Sequence, residues 1–440
     1  MEKKNLILIT MDEVRADRLT CYGYEKTKTK NIDSLAKDGV RFETCIASSV
    51  LTPVCHASLL SGLYPYSNGV RSPFHRFSAR SLAEILRFHG YRTAGFVGNS
   101  MLGEKMGFGT GFELFDEPKE NDIYMWEQHA YNDPAHSGVR FPWGNWWIDR
   151  MIAWIEKNSH EAFFAFGHFF HTHEGSERQL IDMGLISGED SNSDFGFYDE
   201  KINLCDRMFI GPIIRTLKQN GIYGETTLVI TADHGTTLGE RPLPPIPWRK
   251  NVTYPQHTTM YEPDIRIPLV IKDRYLPKNI TIKENVKQID ILPTLLRLLG
   301  ITIPVNAEGN DLVSLIEGRE IGRFKSYLED LYLYRGPGAL QAIRTERVKY
   351  IINQTLGKEE FYDLFEDPRE EDNRIHELNS EQKQLVKSFR MDIDVFYKTN
   401  GCELLYDHTN PMHIENNVIV QEKEREMIME RLRALGYIPN

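Results

Sequence analysis

The residues of this chain best suited to chemistry are one cysteine and three sets of metal-ligand type. Cys55 stands in Leu51-Thr52-Pro53-Val54-Cys55-His56-Ala57-Ser58-Leu59-Leu60-Ser61-Gly62. Far from it in sequence lie Asp12 and Glu13, His171 and His173, and Asp233-His234-Gly235. Asp and His together suit a divalent ion of intermediate hardness such as Mn, Zn or Fe, whereas an oxygen-only set favours Ca or Mg. A cysteine just ahead of a helix start gains thiolate character from free backbone N–H groups and the helix dipole. Beside a cation, Cys55 is therefore a candidate nucleophile. Without one, such a cysteine is more often a small buried hydrophobe.

These residues need a scaffold that brings them together. Short apolar runs alternate with helical patterns, which is the signature of an α/β fold with a parallel sheet. Strands are expected at Asn5 to Thr10, Val40 to Ala47, Arg92 to Val97, Ala162 to Phe169, Thr227 to Thr231 and Ile267 to Ile271. Most are continuous Val/Ile/Leu/Phe runs, as strands buried on both faces should be. Helices are expected at Ser81 to Phe88, Trp146 to Lys157, Asp199 to Gln219 and Val286 to Leu299. Open α/β sheets place their sites beyond the carboxyl ends of the strands. Asp12-Glu13, His171/His173 and Asp233-His234 each follow a strand, so topology alone sends them to one rim.

The proline-rich loop Leu238 to Pro255, with Arg241, Trp248, Arg249 and Lys250, follows the Asp-His pair and is placed to wall the site. Gly107-Phe108-Gly109-Thr110-Gly111 has the wrong spacing for a dinucleotide loop. After about residue 320 the pattern shortens to strand-like runs at Gln341 to Arg344 and Lys349 to Asn353, and a final amphipathic helix spans Val420 to Leu435. The expected organisation is a catalytic domain with the metal site over 1–320 and a C-terminal α+β subdomain over 321–440, with a small antiparallel sheet and terminal helix.

A net charge of −11 argues against nucleic acid, which needs a basic surface. It leaves room for a small anionic substrate, because a metal reverses the field within one cleft. No run approaches the roughly 20 apolar residues of a membrane span. The apolar stretch after Met1 lacks a signal-peptide cleavage region. Five cysteines without regular spacing suit a reducing compartment, so a cytoplasmic location is expected.

The ordered motifs resemble the sulfatase family of the alkaline-phosphatase-like superfamily along nearly the whole chain. Asn5 to Gly23 is similar to the family opening, and Asn31-Ile32-Asp33-Ser34-Leu35-Ala36-Lys37-Asp38-Gly39-Val40-Arg41-Phe42 follows its N-x-D-x-L-A-x-x-G-x-x-F pattern. Tyr198 to Gly235 resembles its long helix, strand and D-H-G motif. Tyr261 to Pro268 resembles Y-E-x-x-x-R-x-P, Asp290 to Leu296 resembles D-x-x-P-T-L-L, and Phe361 to Asn373 resembles the C-terminal Y-D-L-x-x-D-P-x-E-x-x-N.

The resemblance implies a three-layer sandwich around a central, mostly parallel sheet and the hydrolysis of sulfate esters. It implies one divalent ion (Ca, Mn or Zn) on Asp12, Glu13, Cys55, Asp233 and His234. Cys55 would be the nucleophile, converted by a formylglycine-generating enzyme, with His173 and His257 as further catalytic groups. Oligomers are open to such a protein. Three departures stand out. Leu59 takes the arginine's place in the cysteine motif, Gly98-Asn99-Ser100-Met101 takes that of G-K-W-H, and His257 replaces a lysine. Arg15, Asn99, Arg71 or loop residues would then have to help hold the anion. Phosphonate monoester and phosphodiester hydrolases of the superfamily, and a lapsed ligand-binding homologue, are the rival readings. Thr52 is the alternative nucleophile, as related phosphotransferases use an unmodified threonine near a helix start. His56, His168 and His171 are expected to be supporting or core residues.

Overall fold

A computed structural model describes residues 4–118, 146–173, 176–187, 196–240, 258–319, 322, 324–331 and 338–398. The apolar runs become strands β1 (Asn5–Met11), β2 (Val40–Ile46), β3 (Arg92–Val97), β4 (Leu114–Asp116), β5 (Phe163–Phe169), β6 (Thr226–Ala232), β7 (Arg266–Lys272), β8 (Ile280–Ile282) and β9 (Val286–Lys287). They form one sheet in the order β4-β3-β5-β1-β6-β7-β2-β8, with β9 also on β2. From β4 to β6 every neighbouring pair is parallel. β7 runs antiparallel between β6 and β2, so the sheet is mostly parallel rather than wholly so.

Register explains the convergence of the motifs. Met11, the last residue of β1, pairs with Phe169 of β5 and with Ala232 of β6. The chain therefore leaves all three central strands at one level, and Asp12, Phe170 and Asp233 emerge side by side. All seven residues of β1, β5 and β6 are buried, as their unbroken apolar sequence requires.

Two helical expectations need correction. Asp199 to Gln219 is a helix Gly196–Cys205, a five-residue π turn Asp206–Ile210, and a helix Gly211–Gln219. Within that turn the Asp206 carboxylate accepts N–H groups from Asn31 and Ile32, in the first turn of helix α1 (Lys30–Asp38). The segment Val286 to Leu299 begins as a strand, because Val286–Lys287 pairs with β2, then makes a 3₁₀ turn Gln288–Asp290 in which Asp290 accepts the Lys287 N–H at 2.8 Å, and is α-helical only from Ile291.

The C-terminal part is a four-stranded antiparallel sheet, β10 (Lys325–Asp330), β11 (Leu340–Thr345), β12 (Val348–Asn353) and β13 (Lys358–Asp363). Tyr327, Ile343, Tyr350 and Phe361 pack with Phe389 and Ile393 of the helix Ser380–Lys398, while Leu328, Ala342 and Ile351 pack with Ile46, Val50 and Met260 of the larger part. Buried ions also join the parts. Lys349 meets Glu262 at 2.8 Å and Glu370 at 2.6 Å, and Arg344 meets Glu262 at 3.0 Å. The expected helix over 420–435 and most of the loop over 238–255 lie outside the described residues.

Helix α2 (Thr52–Ser61) follows the turn after β2 and is buried along its whole length. Pro53 in its first turn sets the start, and Gly62, at φ 68°, sets the end in a left-handed conformation that suits glycine. The turn before it is braced from the small sheet: the Glu329 amide donates to Ser48 O at 3.2 Å, and Ser49 Oγ donates to Glu329 O at 2.6 Å.

Candidate metal centre and active site

Asp12 and Glu13 leave β1 in a turn that is held from three sides. Asp12 N donates to Phe169 O at 3.0 Å, and Glu13 N donates to Asp233 Oδ1 at 3.1 Å. Tyr198 donates its hydroxyl to Glu13 O at 2.5 Å and accepts the Arg15 N–H at 2.9 Å. Glu13 has φ 58°, a strained value for a residue with a Cβ. That bridge holds the strain in place.

Just after β6, His234 N donates to Asp233 Oδ1 at 2.8 Å, and Gln288 Nε2 donates to Asp233 O at 2.8 Å. His234 Nδ1 lies 2.9 Å from Gly235 O, so that nitrogen carries the proton and Nε2 presents a lone pair. Gly235 is required here because a Cβ would sit 2.1 Å from Pro263 O.

These turns bring together carboxylate and imidazole atoms within 4.8 Å of one another in three sets: Asp12, Asp233 and His234; Asp12, Glu13 and His173; and His56, His168 and Asp233. All seven residues are buried. His168 Nε2 is 3.2 Å from Asp12 Oδ2, and His173 Nε2 is 3.3 Å from Glu13 Oε1. Asp233 Oδ2 makes no hydrogen bond among the described residues. Burial raises the Asp233 pKa to about 6, against the pull of His56 and of the His234 and Glu13 amides. Three buried carboxylates with imidazoles between them fit a divalent cation, which would replace the hydration they have lost.

The other predicted residues fall as follows. His173 is fixed by its backbone, since the buried Lys201 Nζ donates to His173 O at 2.8 Å. His56 is a supporting residue, with Nδ1 2.8 Å from Thr52 O and Nε2 2.9 Å from Thr10 Oγ1. His171 packs on Phe169, and burial, with Lys201 nearby, lowers its pKa to about 4. Asn99 caps a short turn by accepting the Met101 N–H at 2.9 Å.

Arg15 lies beside the cluster with its guanidinium on Asp17, at 2.9 and 2.7 Å, and on Glu240. Arg71 is bound to Glu329 through two contacts of 2.6 and 2.5 Å, both side chains buried. Both arginines expected to hold the anion are thus committed to carboxylates. His257 lies outside the described residues.

The structure does not bring Cys55 into any of the three sets. Its Sγ donates to Ser49 O at 3.1 Å, and burial, reinforced by Asp233, pushes the thiol pKa well above its ordinary value. Thr52, at the first position of α2, has Oγ1 3.3 Å from His234 Nε2. Sequence reading missed Tyr198, Lys201 and Gln288, because helical or strand periodicity says nothing about which polar side chain reaches across to a distant turn.

Residues 4–301 match the family described as Sulfatase. The chain belongs to the sulfatase family. Residues 253–394 also match the C-terminal region described for N-sulphoglucosamine sulphohydrolase, which takes in the small sheet. An ulvan-active sulfatase of Formosa agariphila is 26% identical over 85% of this chain and 77% of its own length. An arylsulfatase of Clostridium perfringens is 25% identical over 88% of this chain and 93% of its own. Among solved structures, a phosphonate monoester hydrolase of Agrobacterium radiobacter superposes with a TM-score of 0.69 at 20% identity, covering 90% of this chain and 95% of that one. A putative sulfatase of Bacteroides fragilis gives 0.70 at 20% identity, over 91% and 96%. These likenesses establish the alkaline-phosphatase-like fold with its additional antiparallel sheet, and the chain is a sulfatase-family hydrolase. No helix among the described residues is long and apolar enough to cross a membrane.

Proposed function

We propose that this protein is a metal-dependent hydrolase of small anionic sulfate esters. The observation that carries the reading is the buried Asp12–Asp233–His234 set at the mouth of three parallel strands, with the start of α2 against His234. Asp12, Asp233 and His234 would hold the ion, and Glu13 stands on the same Asp12 carboxylate to extend the set. A bound divalent ion supplies Lewis-acid polarisation of the ester oxygen and lowers the pKa of a hydroxyl beside it. The mixture of carboxylate and imidazole suits Mn or Zn better than Ca.

His173 is the group we assign to proton transfer at the leaving oxygen. Its ring nitrogen faces Glu13, which can orient the imidazole and stabilise its protonated form. Lys201 and Ser176 hold the His173 carbonyl, so the ring is carried on a fixed backbone.

A second reading, hydrolysis of phosphonate monoesters or phosphodiesters on the same scaffold, is favoured by one observation. Arg15 and Arg71, two of the expected anion partners, are both engaged by carboxylates, so that neither of these two described arginines is left to compensate the anion's charge beside the ion. The test is turnover of aryl sulfate, phosphodiester and phosphonate monoester by protein stripped of metal and reloaded with Mn or Zn. Metal-restored cleavage of the sulfate ester supports the first reading. Efficient cleavage of only a phosphorus ester replaces it with the second.

A further inference from the structure

We propose that the attacking atom is the Thr52 hydroxyl, and that Cys55 stays an unmodified thiol holding the turn in front of it. The inference rests on the hydrolase reading above and sharpens it. α2 starts at Thr52, with Leu51 extended as its cap residue and Pro53 next. The Cys55 amide already donates to Leu51 O at 2.9 Å, within the helical hydrogen-bond pattern. The first turn of the helix, where positive partial charge gathers, therefore lies at Thr52 and Val54. Cys55 lies one turn further in.

The side chains make the same division. Thr52 Oγ1 is 3.3 Å from His234 Nε2, the ring nitrogen opposite the one that contacts Gly235 O. Asp233 Oδ2, buried and without a hydrogen bond among the described residues, lies 3.5 Å from the same Nε2. The hydroxyl thus borders the proposed metal set, through an atom independent of the helix end. Cys55 Sγ instead donates to the carbonyl of Ser49. Ser49 is itself tied to Glu329, so the thiol closes a chain of contacts that fixes the approach to α2.

The chemistry balances without an aldehyde. In the first half, Thr52 Oγ bonds to sulfur as the bond from sulfur to the ester oxygen breaks. The hydroxyl proton leaves to water, and the departing oxygen takes a proton from His173. In the second half a water oxygen bonds to the sulfur of the threonine ester, Oγ leaves with a proton, and hydrogen sulfate is released. A threonine ester has no second hydroxyl through which to eliminate, so only attack by water on sulfur (or on phosphorus, for a phosphorus ester) frees it. The intermediate should accordingly accumulate and be trappable.

The experiment uses the full chain, expressed with and without a formylglycine-generating enzyme. Peptide mass spectrometry is expected to find residue 55 as an intact thiol in both cases. After acid quench with excess aryl sulfate, or with the phosphorus ester if that is the one cleaved, the added sulfuryl or phosphoryl mass should map to Thr52. Thr52→Ala should lose at least about 10³-fold in kcat, whereas Cys55→Ala, which removes one contact to the turn, should lower kcat by less than about tenfold. An aldehyde at residue 55, or loss of turnover in Cys55→Ala at normal metal content, overturns the proposal.

Calorimetric titration with Mn alone separates this failure from failure of the hydrolase reading. Thr52→Val, which keeps shape and removes the oxygen, should weaken Mn binding by about tenfold, whereas Cys55→Ala should not. If wild type cleaves none of the three esters yet Thr52→Val still weakens Mn, the placement of the hydroxyl stands and the hydrolase reading falls. If neither substitution alters Mn binding and Thr52→Ala keeps turnover, Thr52 is only a helix residue.

Discussion

Asp264 offers a direct test of how this site is supported. It is fully buried behind the Asp233-His234 turn. Its main-chain oxygen accepts the Gly235 N–H at 2.8 Å, and its carboxylate accepts from Thr237 Oγ1 at 2.8 Å and from the Thr259 N–H and Oγ1 at 2.9 and 2.6 Å. Burial raises its pKa to about 7, the threonine hydrogen bonds and Arg15 opposing that rise without cancelling it. In the unfolded chain an aspartate titrates near its ordinary value of about 3.9. Between those two values the folded protein keeps a proton that the unfolded chain has lost, so stability falls as pH rises. The contribution is fully present below about pH 4 and is lost by about pH 7, and the two pKa values set its size at about 4 kcal/mol as an upper figure. Asp264→Asn keeps a neutral polar side chain at every pH. Relative to wild type it should therefore gain stability between pH 5 and pH 8, whatever its cost at pH 5. Denaturant unfolding of both proteins at the two pH values reads this difference of differences. Parallel profiles would show that Asp264 is charged in the folded protein and that the reasoning from burial is wrong.

Other perturbations probe the remaining supports. His234→Ala should reduce affinity for Mn or Zn by at least about tenfold in a direct titration, because it removes one of three proposed ligands. Glu329→Gln leaves the Arg71 guanidinium buried without its counter-charge and should cost about 3–5 kcal/mol in unfolding free energy, whereas a double Arg71→Met/Glu329→Leu replacement should recover much of it. Gly235→Ala forces a Cβ onto Pro263 O and should destabilise by about 1–3 kcal/mol, with metal affinity falling as the Asp-His turn shifts. Tyr198→Phe removes both bonds of the bridge between Glu13 and Arg15, and thermal melts should show a loss of about 1–3 kcal/mol.

Much of the sheet was legible because its strands are buried on both faces and read as unbroken apolar runs. Arg92 to Val97 matches β3 to the residue, and the β1, β5 and β6 runs end within two residues of the observed strand ends. Knowing where those strands end was enough to place Asp12, Asp233 and His234 on one rim. Less visible was anything decided by a single turn. Starting the cysteine motif at Cys55 leaves Leu59 in the arginine's place, whereas starting it at Thr52 brings His56 there. The Thr52-Pro53 pair was the signal, since proline favours the first turn of a helix and thereby sets which residue stands at its mouth. Arg15 and Arg71 looked available because sequence shows a charge and not its partner. Asp17 is two residues from Arg15, but Glu329 is 258 residues from Arg71.

The Glu329 contacts have a further consequence. Every proposed metal ligand, and Thr52, lies within residues 4–301, the part that matches the family on its own. Yet the peptide leading into Thr52 is pinned at Ser48 and Ser49 by a strand that begins only at Lys325. A fragment ending near residue 320 would retain the full set of ion-holding groups and lose the fixed posture of the residue meant to use the ion. Binding and turnover should then part company at that truncation. The boundary drawn from the change of sequence pattern near residue 320 separates two stretches of chain, and the contacts of Glu329 with Ser48 and Ser49 cross it.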